Sequence, residues 1–332
     1  MREAKVRVAT QEKKLSEPRP NMHFKGLKSS WRRQICLHSM MLPATLLLVF
    51  FSVMPMFGIW MAFTKYQPAQ DAGYFTALFR SEFVGIAFFE QIFARPDFRQ
   101  VLFNTIYISF VKITLLIVFG VVLALLLSEI KFLRLKKCIQ VIVFIPYFLS
   151  WVILSSIFID LLSIDGPVTA IVKALTGGTI SFLSDNGWFP VVIFVTELWK
   201  NLGYQAIYFL AAITAVDPGL YEAAKIDGAN RWQQCFRVTL PCISPIILLM
   251  IILDLGNIMN AGFEQIFSLY NELVYKSGDI LDTMAYRIGL VNPSTWQYSL
   301  STAISLFKSV ISCVLFGVGY FVAAKKMDYK VL

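Results

Sequence analysis

The chain has 332 residues, of which 57% are hydrophobic and only 15% charged, whereas soluble domains carry about a quarter charged residues. That balance excludes a soluble globular protein and predicts one that crosses a membrane repeatedly, with membrane lipid as its surroundings. The net charge of +9 comes without any soluble basic domain to carry it, which excludes nucleic acid as an expected partner.

A helix needs roughly 20 apolar residues to cross the hydrocarbon core. Six stretches qualify, at about residues 37–64, 101–128, 136–161, 188–216, 242–270 and 299–324. The expected fold class is therefore an all-α membrane protein with six transmembrane helices, and an even number places both ends on one side. Lys and Arg number 20 in the two ends and the alternate loops that share their side, against 7 in the loops opposite; the remaining three, Lys112, Lys200 and Lys308, fall within spans. The positive-inside rule then makes both termini, and the loop between the fourth and fifth spans, cytoplasmic.

Taken in order, residues 1–35 read as a basic cytoplasmic tail, followed over 36–95 by the first span and an outward segment. Pro43 and Pro55 interrupt that span, which reads as a peripheral anchor. The outward stretch 65–100 is rich in aromatics, including Tyr74, Phe75, Phe83, Phe88, Phe89 and Phe93, either an interfacial belt or a surface for an external partner. Residues 96–332 form the remaining five-helix core. Turn chemistry at Asp165-Gly166-Pro167 and Gly177-Gly178 marks the next outward loop, which is expected to return to the membrane near Phe182. Residues 271–297, with Asp279, Asp282 and Arg287, read either as a contact for an external protein or as a solvated turn.

The five cysteines, Cys36, Cys138, Cys235, Cys242 and Cys313, avoid the outward segments, so no disulfide framework is expected. With His23 and His38 as the two imidazoles, no metal site is expected either.

The polar stretch 217–241 lies between two apolar runs. Asp217 is a natural N-cap and Pro218 suits the first helical position. Gly228 can take the left-handed conformation that ends a helix, and a second short helix begins at Asn230. On it Trp232 and Phe236 stand four residues apart and share a face. The spacing predicts an apolar knob held out from the bilayer.

The run Glu222-Ala223-Ala224, then Asp227-Gly228-Ala229, then Phe236, Val238, Leu240 and Pro241 resembles the EAA loop of permeases in bacterial ABC importers. In that family the loop forms coupling helices that sit in a groove of the cytoplasmic ATPase. The resemblance implies the type I importer permease fold and a coupling role for Glu222, Ala223, Ala224, Asp227, Gly228, Ala229, Trp232, Phe236 and Pro241. It also implies partners: a second permease subunit, two ATP-binding subunits that carry ATP and Mg, and an external solute-binding protein. The stretch from Pro96 to Thr105 and the five spans after it are similar to sugar permeases. Gly256-Asn257-Ile258-Met259-Asn260-Ala261-Gly262-Phe263-Glu264-Gln265 resembles the subgroup for oligo- and polysaccharides, near members that handle acidic polymers such as alginate.

Polar side chains within spans are costly and mark a pathway or a pair. A sugar needs hydrogen-bonding groups for its hydroxyls and an aromatic face for its C–H groups. Candidates for a substrate path are Lys200, Asn201, Tyr204 and Tyr208 in the fourth span and Asn257, Asn260 and Glu264 in the fifth. Interhelical hydrogen bonding is the alternative for each of them. Lys200 either meets a carboxylate of the substrate or pairs with Glu197, three residues away on the same face; Lys112 and Lys308 are expected to snorkel or pair.

The chain has no Gly-x4-Gly-Lys-[Ser/Thr] loop, so the resemblance points to a transport subunit that is not itself an enzyme, working by alternating access. The competing function is an ion-coupled secondary transporter. Such carriers show paired repeats and broken helices around an ion site, and neither is legible in this sequence.

Overall fold

The computed structural model describes residues 27–68, 73–291 and 296–327. Among them the architecture is helical, with one isolated β-bridge between Thr64 and Phe83. The chain divides into two compact units, Met1–Phe57 and Gly58–Leu332. The first contains α1 (Leu27–Leu48), which carries Pro43 without ending there. A π turn follows at Val49–Val53, then a 3-10 run at Met54–Phe63 that holds Pro55 and is cut by the unit boundary. Most of the expected tail, 1–35, lies outside the described residues.

In the second unit the elements are α2 (Tyr74–Arg80), α3 (Ala87–Ala94), α4 (Phe98–Glu129), α5 (Leu133–Phe144), α6 (Trp151–Leu162), α7 (Pro167–Thr176) and α8 (Trp188–Thr214). There follow α9 (Pro218–Ile226), α10 (Arg231–Gln234), α11 (Leu240–Gly256), α12 (Phe263–Leu269), α13 (Tyr275–Gly278), α14 (Leu281–Tyr286) and α15 (Gln297–Met327). Among the described residues, five helical runs are long and apolar enough to cross a membrane: Gln34–Phe63, Phe98–Glu129, Trp151–Thr176, Arg231–Gly256 and Gln297–Val322. The fourth expected span, the one that remains, is the unbroken 27-residue helix α8. It falls outside that group because Glu197, Lys200, Asn201 and Gln205 dilute its apolar surface, although at 1.5 Å per residue its length suffices for a ~30 Å hydrocarbon core.

Two expected spans are interrupted, which the sequence did not reveal. The third breaks between α5 and α6: a 3-10 turn at Ile145–Phe148 contains Pro146, and Leu149 is extended. Proline supplies no N–H and disfavours helix just before it. Ser150 then caps α6, accepting from the Ile153 amide at 3.3 Å. The fifth breaks between α11 and α12, where Gly262 has φ +89°, a conformation open to glycine and strained for other residues.

Packing in lipid gains little from hiding apolar surface, because the tails are equally apolar; close approach and dispersion decide it. Gly120 on α4 meets α8 where a Cβ would lie 2.9 Å from Gln205 Cγ. Around it Val121, Ala124 and Leu127 pack with Phe209, Leu210, Ile213 and Ile243. A second cluster joins Ile108 to Phe189, Ile193, Ile266 and Ile280, and a third ties Phe98 and Val101 to Leu281, Met284 and Ile304.

These clusters bury the segment after α12, so residues 271–291 are not a solvated turn. Asn104 Nδ2 donates to the carbonyls of Lys276 and Asp279, both at 3.1 Å. The Leu281 amide donates to Thr105 Oγ1 at 2.9 Å. Arg287 pairs with buried Asp279 at 2.6 Å, and Lys308 with Asp282 at 2.6 Å. Of the aromatics in 65–100, Phe88 is buried whereas Phe83 and Phe93 are exposed. Phe182 is buried against the Trp188 ring.

Candidate functional site

The loop between α8 and α11 is built from two short capped helices. Asp217 Oδ1 accepts from the Gly219 amide at 2.9 Å with Pro218 in the first turn, so α9 starts where the cap chemistry places it. Its end is closed by the Asp227 amide donating to Ala223 O and the Ala229 amide to Ala224 O. Gly228 reverses the chain at φ +77°. Asn230 caps α10 in a reciprocal capping box with Gln233, at 2.9 and 2.8 Å. A π turn at Cys235–Thr239 carries α10 into α11, with exposed Pro241 in its first turn.

This loop is braced from beneath and bare on top. Tyr221 and Thr239 hydroxyls lie 3.0 Å apart, Gln234 Nε2 donates to Ala229 O at 2.8 Å, and Arg231 pairs with Glu129 at the end of α4. Above the braces, the Trp232 and Phe236 rings lie near-parallel with centroids 6.3 Å apart and are 74% and 60% exposed. Glu222, Ala223 and Asp227 are exposed and Ala224 and Ala229 half-buried; among the described residues the Glu222 carboxylate forms no ion pair. Such a surface can seat in a groove, as amphipathic helices do.

The polar groups inside the spans fall into two sets. On α8, Lys200 is buried and points at the break between α5 and α6. Its ammonium donates to Tyr147 O at 3.0 Å and to Leu149 O, and lies 5.4 Å from the Trp151 ring centroid. Of the two alternatives for Lys200, the pairing with Glu197 is not formed: Glu197 pairs with Lys112 of α4 at 3.3 Å. The arrangement has a physical cause: the break at Pro146 leaves the Tyr147 and Leu149 carbonyls without helix partners, and Lys200 supplies donors to them.

Lys112 does the same for the second break, donating to Ala261 O at 2.7 Å and to Gln265 Oε1. Gln265 Nε2 in turn donates to Ile193 O and Thr196 Oγ1, each at 2.8 Å. A Cβ on Gly262 would lie 2.7 Å from the Lys112 ammonium.

Asn201 donates to Glu197 Oε1 at 2.5 Å. Tyr204 stacks on Tyr147 with centroids 4.2 Å apart and planes within 2°, and its hydroxyl is bonded to that of Tyr208. Asn257, Asn260 and Glu264 are exposed; Asn257 Nδ2 donates to Leu253 O at 3.3 Å. No hydrogen bond joins these three to the Tyr204 group among the described residues. Tyr147, Thr196 and Gln265 enter the arrangement through tertiary contact. The sole signal for Tyr147 in the sequence is its place beside Pro146.

Helices that cross a membrane, interrupted where buried cations replace lost helix bonds, and a capped loop with bare aromatics between them define a multi-pass membrane transport subunit. By comparison of sequences, the chain belongs to the family of binding-protein-dependent transport system inner membrane components, which matches residues 116–327. It is thus a permease subunit of an ABC transporter and not an enzyme. Protein LplB of Bacillus subtilis (strain 168) is 37% identical over 309 residues, 91% of this chain and 94% of that protein. The polygalacturonan/rhamnogalacturonan transport system permease protein YteP of the same organism is 37% identical, covering 85% and 86%. Among solved structures, a chain of a bacterial alginate ABC transporter in complex with an alginate pentasaccharide-bound periplasmic protein superposes with a TM-score of 0.81 at 30% identity, over 92% of this chain and 99% of that one.

Proposed function

We propose that the chain is one of two permease subunits of an ATP-driven importer for oligo- or polysaccharide. Its termini and the loop 217–241 face the cytoplasm, and α8 with the break after α11 lines the path. The observation that carries the reading is the exposed Trp232–Phe236 pair on a doubly capped loop. Exposing two large rings beside a bilayer is explained by a protein groove that takes them. The ATP and Mg reside on two ATP-binding partners, whose closure moves the loop. Glu222 anchors it to a basic group, Asp227 and Gly228 set its turn, and a solute-binding protein outside delivers the sugar. The relation to YteP and to the alginate importer chain supports a carbohydrate cargo.

In the path, the Tyr147–Tyr204 stack offers an aromatic face, Tyr208 and Asn201 offer hydroxyl and amide groups, and Asn257, Asn260 and Glu264 offer exposed polar partners on the opposite element. Lys200 acts through the Tyr147 and Leu149 carbonyls, fixing that face. The tail 1–35, the first span with its outward segment 36–95 and the core 96–332 take different roles, with transport confined to the core.

ATP hydrolysis by the affinity-purified complex in liposomes, with its binding protein and a panel of oligosaccharides, tests this. Stimulation by one sugar is expected. Purification without an ATPase subunit, or a rate indifferent to every sugar, overturns it.

A further inference from the structure

Between α5 and the last turns of α8 lies a cavity of about 480 Å³, lined by Lys136, Gln140, Val141, Phe144, Ile207, Leu210, Ala211 and Thr214. That volume is within the ~300–1,000 Å³ of ligand pockets. Its polar and apolar parts are segregated. Lys136 and Gln140 share one side of α5 at i and i+4, nearest the helix start, while Val141, Phe144, Ile207 and Leu210 make an apolar wall. Neither the Lys136 ammonium nor the Gln140 amide has a hydrogen-bond or ionic partner among the described residues. The Thr214 hydroxyl is already spent on Ala211 O at 2.8 Å.

Lys136 is the basic residue of the lining. Lys131, Arg134 and Lys137, its neighbours in sequence, are exposed, and none of the four forms an ion pair among the described residues. The nearest acid in sequence, Glu129, is neutralised by Arg231. Val141 and Ile207 on the rim are 57% and 42% exposed, so the wall opens sideways.

We propose that this cavity binds an acidic phospholipid, with the phosphate on Lys136 and Gln140 and an acyl chain against Val141, Phe144, Ile207 and Leu210. Charge complementarity selects this occupant: basic pockets between helices at the membrane surface take anionic head groups. A sugar would leave its hydroxyls against an apolar wall, and an apolar helix would bury Lys136 and Gln140 unpaired, at high cost in lipid. The site adjoins the end of α8, three residues before the Asp217 cap, so a bound lipid would stiffen the helix from which the loop hangs. It goes beyond the transport function and stands without it.

The test uses the full-chain permease, with whatever subunits co-purify, in phosphatidylcholine nanodiscs. These carry trace phosphatidylglycerol or phosphatidylcholine bearing a photoreactive acyl chain, and labelled peptides are mapped by mass spectrometry. Phosphatidylglycerol is expected to label peptides of α5 around Val141–Phe144 and of α8 around Ile207–Ala211 in preference to phosphatidylcholine. Lys136→Gln should reduce that labelling about fivefold, what one near-surface cation contributes, and added salt should reduce it further. Ala211→Trp, which fills the cavity, should remove labelling while leaving yield and thermal stability unchanged. Equal labelling by the two lipids, or no change in Lys136→Gln, overturns the proposal. So does a disulfide to the other permease subunit from a cysteine placed at Val141, which would show a protein in the groove.

Discussion

Two glycines separate conformational need from steric need. At Gly228 an added Cβ would meet nothing within 4 Å, but φ is +77°, so Gly228→Val costs about 1–2 kcal/mol through the backbone alone. The variant is expected to insert and fold while substrate-stimulated ATP hydrolysis is lost; transport at the native rate would contradict the docking geometry. Gly203 is the opposite case. Its Cβ would collide with the Val143 carbonyl where α8 crosses the end of α5, so Gly203→Val should lower yield and thermal stability whatever becomes of the loop.

Lys112 serves Glu197, Ala261 O and Gln265 at once. Lys112→Met leaves the half-buried Glu197 carboxylate without its cation, with Asn201 as its remaining donor, and removes the donor to Ala261 O and Gln265 Oε1. Breaking a buried pair costs about 3–5 kcal/mol, read as a fall in melting temperature in detergent. Adding Glu197→Gln should restore part of the loss, because the stranded charge is then gone. Asp97 shows a milder coupling outside the spans. Hydrogen bonds from Arg95 at 3.0 and 2.9 Å hold its carboxyl below the usual 3.8. Its stabilisation is present above that unfolded value and lost as pH falls through the lower folded one. Asp97→Asn should therefore flatten the most acidic limb of the stability profile and leave neutral pH untouched; being half-exposed, the pair contributes little.

Among the elements, α9 and α10 are too short to persist by propensity alone; their caps and the Tyr221–Thr239 and Gln234–Ala229 bonds hold them. Removing Asp217 or Asn230 as caps by alanine costs about 1 kcal/mol each. Because the loop is exposed, the effect should appear in coupling and in proteolysis of 217–241, with the global melting temperature unchanged. Trp232→Ala with Phe236→Ala keeps the helices and removes the knob, so co-purification of the ATPase should fall. The broken elements obey a different rule: at the breaks marked by Pro146 and Gly262 inside the spans, a lysine from a neighbouring helix meets the loosened backbone. The caps were legible in the residues at 217, 218, 228 and 230, since cap chemistry acts within a turn. The breaks were not, since an apolar run looks continuous whether or not its backbone is helical.

For the whole molecule, the alternation of basic and neutral loops predicts that the Trp232 loop and the Leu273 segment lie on opposite sides of the membrane. Single cysteines placed at Arg231 and at Leu273, both exposed, should react with an impermeant thiol reagent from opposite faces of oriented vesicles. Labelling from one face would invert or collapse the topology.

The sequence by itself determined the class of molecule, the helix-forming stretches, the capped loop and its aromatic face. Composition and near-neighbour spacing act locally, and a bilayer leaves few alternatives to helices. Only the tertiary structure decided which charges meet. Glu197 and Lys200 share a helix face, yet each answers to a group far away in the chain, Lys112 and the Tyr147 and Leu149 carbonyls. A helix neighbour at i+3 offers one weak contact, whereas carbonyls released from a helix inside a span demand a donor, and the stronger demand set the pairing.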